Sequence, residues 1–197
     1  MANIVTEMLR RRLLESAKGE VLPEGYTQKD MLVSNGAYVS LQLSLQYFTF
    51  DTSLIWDSVG SNRLMGNGSG FFGINASSGW RTNNTSQSQS YANMGVANTT
   101  DIYIVTYKRV AGLTSLVVNG ESGSVSSPAP SASTLYLFNI QNNNTYRCYA
   151  KLGETFIYDQ DDVLASHLIP CIDSDNHSGM FDVVRNIFFT HANFTTI

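Results

Sequence analysis

From Ala37 to Leu45 apolar and polar residues alternate strictly, with Ala37, Val39, Leu41, Leu43 and Leu45 on one parity and Tyr38, Ser40, Gln42 and Ser44 on the other. A period of two is that of a β-strand with one buried face. Short apolar runs predict further strands at Leu54–Val59, Phe71–Ile74, Ile102–Tyr107, Leu113–Val118, Leu135–Ile140, Arg147–Lys151 and Thr155–Tyr158. Asn119-Gly120, set between Val118 and Glu121, predicts a tight hairpin, because both residues tolerate the positive φ of a type I′ turn. Thr82–Asn93 and Gly123–Ser133 are rich in Ser, Asn, Gln and Pro and read as exposed loops. The first is either a ligand-contact loop or a solvated connection between sheets.

The periodicity differs at the start of the chain. Over residues 3–17, Ile4, Val5, Met8, Leu9, Leu13 and Leu14 recur at spacings of three and four, with Glu7, Arg10, Arg11 and Glu15 between them. This predicts an amphipathic helix, ended by Gly19 and kept from resuming by Pro23. Residues 1–21 are accordingly read as a helix for anchoring or oligomerisation, and 22–197 as one β domain. So short a helix is marginal alone in water, which is why its apolar stripe is assigned to self-association or docking.

Composition narrows the function. Across 197 residues, charged side chains make up 14% and the net charge is −4, leaving no basic field to neutralise phosphates, so nucleic acid is not an expected partner. No apolar run approaches the roughly 20 residues that span a bilayer, so no membrane association is expected. The start of the chain lacks the basic, then apolar, then small-residue order of a secretory signal, which predicts folding in a cytosol. There Cys148 and Cys171 are expected as two reduced, small apolar side chains.

Candidate chemistry is sparse. Glycoside hydrolysis needs two carboxyl groups flanking the bond, and no such pair stands out, although Glu154 and Asp57 would carry an atypical glycosidase. Asp159, Asp161 and Asp162 form the densest acidic patch, a place for calcium or simply a surface turn, and Asp173 and Asp175 could join it only through the fold. His167, His177 and His191 are too far apart for a local metal motif, and His167 and His191 are expected at the surface or half-buried. Trp80, Arg81, Tyr91 and Tyr146 are the candidates for a sugar-stacking surface, Trp80 foremost, against the alternative that its indole fills the core. No cofactor beyond that calcium is expected.

The last third of the chain runs through Leu135-Tyr136-Leu137-Phe138-Asn139-Ile140, Asn142-Asn143-Asn144, Lys151–Tyr158, His167-Leu168-Ile169-Pro170-Cys171 and Ser178-Gly179-Met180-Phe181-Asp182. This ordered set resembles the closing strands of concanavalin A-like, laminin-G-like jelly-roll domains. Such domains occur in gut bacterial surface proteins and in virion proteins of their phages, among them head-fibre or decoration proteins of crAss-like phages. Leu22–Thr27, Leu64-Met65-Gly66 with Gly70–Ile74, and Ser115–Glu121 resemble earlier motifs of the same family, so the likeness covers residues 22 to 197. It implies an all-β, two-sheet antiparallel jelly-roll sandwich. With the missing signal and the N-terminal helix, it implies a non-enzymatic structural or adhesion component of a bacteriophage virion, assembled in the host cytoplasm. The expected partners are a homo-oligomer, taken as a trimer, other virion proteins held through the helix, and host-surface or gut glycans. The alternative is a carbohydrate-binding, lectin-like module of a bacterial protein.

Overall fold

A computed structural model describes residues 22–59, 62–67, 70–75, 77, 79–84, 88–127, 131–139 and 148–197. In chain order the strands are β1 (Thr27–Gln28), β2 (Leu32–Val33), β3 (Val39–Leu45), β4 (Phe48–Trp56), β5 (Asn62–Asn67), β6 (Gly70–Ile74), β7 (Trp80–Asn84), β8 (Ser88–Ser90), β9 (Tyr103–Val110), β10 (Leu113–Val118), β11 (Glu121–Ser126), β12 (Ser133–Leu137), β13 (Ala150–Tyr158), β14 (Leu164–Ile172), β15 (Ser178–Asp182), β16 (Ile187–Thr190) and β17 (Thr195–Thr196). Among the described residues they form two antiparallel sheets. The larger runs β11-β10-β9-β4-β13-β14-β15-β16, with β1 beside β14 and β2 between β13 and β17. The smaller runs β3-β12-β5-β6-β7-β8. The protein is an all-β, two-sheet antiparallel sandwich with almost no helix in the described residues, the turn Ala92–Met94 being 3₁₀.

Side-chain parity builds the interior. β9 buries Tyr103, Val105, Tyr107 and Arg109 and turns Ile104, Thr106 and Lys108 the other way. Rings from the two sheets then meet: Phe50 on Phe72 at 5.5 Å, Tyr107 on Phe72 at 5.1 Å and Trp56 on Trp80 at 5.8 Å. Each fully buried large side chain contributes roughly 1.5–3 kcal/mol, so these contacts dominate cohesion between the sheets.

One polar device also joins the sheets. Asp182, fully buried at the end of β15, accepts hydrogen bonds from Ser166 Oγ and Arg185 Nε, both at 2.6 Å, and from the N–H groups of Val184 and Arg185 at 3.1 Å. Arg185 Nη1 donates in turn to the Leu41 carbonyl on β3, at 2.7 Å, so a carboxylate of the larger sheet holds the backbone of the smaller.

Several sequence expectations hold. Leu113–Val118 is a strand, and Asn119 and Gly120 turn it into β11 with φ of 49° and 93°. Cys148 and Cys171 are free and buried. Others need correction. The strand placed at Leu54–Val59 begins at Phe48, because Phe-Thr-Phe-Asp-Thr is buried on both faces and shows no amphipathic alternation. The loop read at Thr82–Asn93 contains the end of β7 and all of β8, and β11 enters the loop read at Gly123–Ser133. The helix over residues 3–17, with Ile4, Val5, Met8, Leu9, Leu13 and Leu14, lies outside the described residues. Among those residues no helix is long and apolar enough to cross a membrane.

Candidate functional site

The outer face of the smaller sheet is built by parity from its core face. Phe72, Ile74 and Trp80 point inward, so Phe71, Gly73 and Arg81 point outward. Register does the rest. Arg63 on β5 is opposite Gly73 on β6, and Gly73 is opposite Arg81 on β7, which puts two arginines either side of a glycine. Two inter-strand spacings, roughly 9.5 Å, separate their backbones. Both side chains lean over Phe71, two residues along the same strand, with Cζ at 4.5 Å from its centroid for Arg63 and 5.1 Å for Arg81. A guanidinium within about 6 Å of a ring face is held by the ring quadrupole.

A second row runs beside the first. Gly66 lies between Phe71 on β6 and Tyr136 on β12, and Tyr136 is opposite Ser40 on β3. Tyr136 and Tyr38 are half-buried, their rings 6.5 Å apart. The two glycines keep the floor low. A Cβ on Gly66 would strike the Gly70 carbonyl oxygen and Phe71 Cβ, and one on Gly73 would strike the Asn62 carbonyl. The result is a shallow bed with half-buried tyrosines on one flank and, on the other, two guanidinia covering Phe71, which is 4% exposed.

The acidic strand residues are confined to the larger sheet, whose strands also carry Lys108, Arg109 and Lys151. None of the six strands of the smaller sheet contains Asp or Glu, and Arg63 and Arg81 are its only charged strand residues. Asp51, Glu121, Glu154 and Asp182 all lie in strands of the larger sheet. Burial, followed by repulsion from Arg63, lowers the pKa of Arg81. From so high a starting value the group stays cationic at neutral pH. Its Nε is buried and meets no hydrogen-bond acceptor among the described residues.

The residues expected to bind sugar are divided by the fold. Trp80 is 0% exposed, edge-on to Tyr103 at 5.0 Å, and offers solvent no indole face. The reason is parity: Trp80 pairs with Ile74 on the core side, and its neighbour Arg81 takes the outer side. Tyr91 is also buried, its hydroxyl 2.8 Å from Thr82 Oγ1, and burial raises its pKa. Tyr146 lies outside the described residues. Arg63, Phe71, Tyr136 and Tyr38 were not singled out from the sequence. The adjacent Phe71-Phe72 pair carried the signal, because neighbouring positions of a strand face opposite ways, so one ring had to turn away from the space between the sheets; that ring is Phe71, buried beneath the arginines.

The acidic candidates do not converge as imagined. Asp159 Oδ1 accepts the N–H groups of Asp161 at 2.9 Å and Val163 at 3.0 Å, closing a local turn before β14. Asp173 and Asp175 follow the other end of β14, so they cannot join that patch. Instead they meet His177, with ligand-type atoms all within 4.8 Å, and no such group among the described residues includes Asp159, Asp161 or Asp162. Asp173 has a lowered pKa: desolvation, the largest single influence, pushes it up, but the N–H donors of His177 and Asp175 and the His177 ring together outweigh it. Hydrogen bonds within the turn account for this arrangement.

His167 corrects another expectation. It is buried on the outer side of the larger sheet, stacked on Phe156 at 4.3 Å with Nε2 2.6 Å from Glu154 Oε1. His191 is exposed, as expected, and His177 is exposed too. Asp57, the other carboxylate considered for hydrolysis, pairs with Lys151 at 3.2 Å.

No family model matches the chain, and none of the curated proteins matches it by sequence. Solved structures do. A candidate carbohydrate-binding protein from Bacteroides ovatus superposes with a TM-score of 0.62 at 14% identity, over 87% of this chain and 61% of that one. The chain thus spans about three-fifths of that neighbour. A sialidase of Trypanosoma rangeli matches at a TM-score of 0.51 and 14% identity, over 70% of this chain and 25% of the enzyme. A galectin of Caenorhabditis elegans aligns over 70% of this chain and 98% of its own, at a TM-score of 0.45 and 12% identity. At such identities the likeness is one of fold, consistent with a jelly-roll, concanavalin-like sandwich. The sequence reading took the chain not to be an enzyme. That expectation is corrected: with a sialidase among the structural neighbours, enzyme status is not established.

Proposed function

We propose that this chain is a lectin-like, carbohydrate-binding module whose binding surface is the outer face of the smaller sheet. The observation that carries the reading is the bed formed by Tyr136, Gly66 and Phe71 in one row and Arg63, Gly73 and Arg81 in the next. A pyranose presents an apolar face ringed by hydroxyl groups. The tyrosine flank of Tyr136 and Tyr38 can pack against the first, and guanidinium donors can bond the second. The fold shared with the Bacteroides ovatus protein supports the reading. The virion reading rested on the family resemblance and the missing signal, with a helix at residues 4–14 that lies outside the described part, and draws no support from the structural neighbours.

The test is glycan-array binding by the full chain, repeated with Tyr136→Ala and with Tyr38→Ala plus Tyr136→Ala. Binding that falls at least tenfold in the double variant, with an unchanged melting curve, is the expected result. A chain that binds no glycan, or a double variant that binds fully, overturns the proposal.

A further inference from the structure

In the middle of the larger sheet, β13 and β14 are buried on both faces. Their inner side meets the smaller sheet, yet Phe156, Tyr158, His167 and Ile169, with Phe181 of β15, point the other way and are no more than 4% exposed. None of them belongs to the cluster that fills the space between the sheets. Register sets them side by side. Phe156 is opposite His167 on β14 and Asp51 on β4, Asp51 is opposite Thr106 on β9, and Ile169 is opposite Phe181. An antiparallel sheet with one face in water alternates apolar with polar residues. β13 does not, since Phe156 and Tyr158 on the outer side are buried like Ile157 on the inner. Even the Asp51 side chain, which accepts from Thr106 Oγ1 at 2.6 Å on that side, is 3% exposed.

Burial on that side requires a third layer, and the chain shows where one begins. Tyr26 lies on this outer face, its ring 4.7 Å from Phe181 and 5.1 Å from Phe188, before β1 pairs with the end of β14. Whatever precedes Tyr26 therefore starts from the same face. We propose that the apolar stripe of Ile4, Val5, Met8, Leu9, Leu13 and Leu14 packs on the outer face of the larger sheet of its own chain, over β13 and β14. Lengths agree. At helical rise residues 3–17 measure about 22 Å, and the four inter-strand spacings from β15 through β14, β13 and β4 to β9 measure roughly 19 Å. Residues 18–25 supply up to roughly 26 Å of connection between stripe and Tyr26. So short a tether holds the segment at an effective concentration on the order of millimolar, which a second copy or another protein must match to displace it. A stripe packed on its own sheet is not available to hold a partner, so this assignment replaces the self-association expected from the sequence.

The test places a photoreactive benzoylphenylalanine at Leu9 of the full chain, irradiates a mixture of unlabelled and nitrogen-15-labelled protein, and maps the crosslinks by mass spectrometry. Crosslinks to peptides of β13 and β14, always within one isotopic form, are the expected result. Crosslinks between isotopic forms would put a second copy on the face, and crosslinks confined to the smaller sheet, or none at all, would take the segment off it; each overturns the proposal. A second variant reads the same contact should the first fail to fold. Leu9→Asp plus Leu13→Asp should bare the face, so that an apolar-surface dye brightens several-fold and the melting temperature drops by several degrees, while the mass by light scattering stays as in the wild type. Dye signal and melting temperature equal to those of the wild type, or a fall in mass that shows the stripe holding copies together, would overturn the proposal.

Discussion

Replacing Asp182 by alanine should be among the most damaging single changes in the larger sheet. Its carboxylate takes two short charge-assisted hydrogen bonds, from Ser166 Oγ and Arg185 Nε, besides the backbone N–H groups of His167, Val184 and Arg185. Hydrogen bonds to charged groups are worth roughly 1.5–3 kcal/mol each. Removing one member of a buried ion pair costs about 3–5 kcal/mol, because the partner is left uncompensated. Arg185 is that partner, and its other arm still grips the Leu41 carbonyl, so it cannot swing freely into water. A loss of about 3–5 kcal/mol from a typical total of roughly 5–15 would lower the melting temperature by roughly 6–20 °C for a domain of this size. Urea unfolding followed by tryptophan fluorescence suits the measurement, since Trp56 and Trp80 touch in the core. Asp182→Ala, Arg185→Gln and the double variant form a cycle whose coupling should be about 1–3 kcal/mol. A single-variant loss below about 1 kcal/mol, or strictly additive losses, would falsify the role assigned to this staple.

Three further outcomes are expected. Trp80→Ala should cost about 3–5 kcal/mol by opening a cavity; loss of glycan binding with undiminished stability would instead place the indole at the binding face. Burial holds the Tyr107 hydroxyl up to about 12 against an ordinary 10.0, and the Cys171 thiol up to about 12 against 9.0. Both then keep their protons in the folded state where the unfolded chain loses them, so stability is complete below about pH 9 and falls between pH 9 and 12. Melting curves of Cys148→Ser plus Cys171→Ser should show a shallower alkaline fall, and an identical slope would contradict the assignment. Removing Thr195–Ile197 should expose β2 and cause aggregation, because Thr195 and Thr196 pair with Val33 and Leu32 and Ile197 exchanges hydrogen bonds with Met31. A soluble truncation that melts at the same temperature would show that strand to be dispensable.

What could be read from the chain was what local chemistry decides. Asn119-Gly120 needs only its own two residues to turn, and Leu41 is buried as the alternation around it requires. β8 escaped notice because Ser88, Gln89 and Ser90 are all exposed, and the strand exists through backbone pairing with β7. The proposed binding face was harder still. Trp80 and Arg81 are adjacent, and which of them faces solvent is decided by pairing with Ile74 and Gly73, a register set by turn and sheet. Arg63, Phe71, Arg81 and Tyr136 come from four strands, and no spacing along the chain announces that they meet. The family resemblance supplied Gly179 and Asp182 as motif residues. The sandwich uses the first where a Cβ would strike the Phe189 carbonyl and the Phe188 ring, and the second to bind its two sheets.

The pairing of β2 with β17 sets a timetable for synthesis. Asn35 donates to Thr195 Oγ1 across 160 residues of chain, beside the ladder that joins Leu32 and Val33 to the final strand. At roughly 5–20 residues per second, the ribosome delivers that partner about 8–30 s after β2 has been made. Helices and hairpins form in microseconds, so the delay belongs to the topology and not to any slow local event. Throughout that wait one flank of β2 has no strand to close it. The nascent protein is therefore most vulnerable to mispairing with a neighbouring polysome product, and slowing translation near residue 190 should lengthen that exposure and lower soluble yield without altering the stability of molecules that finish.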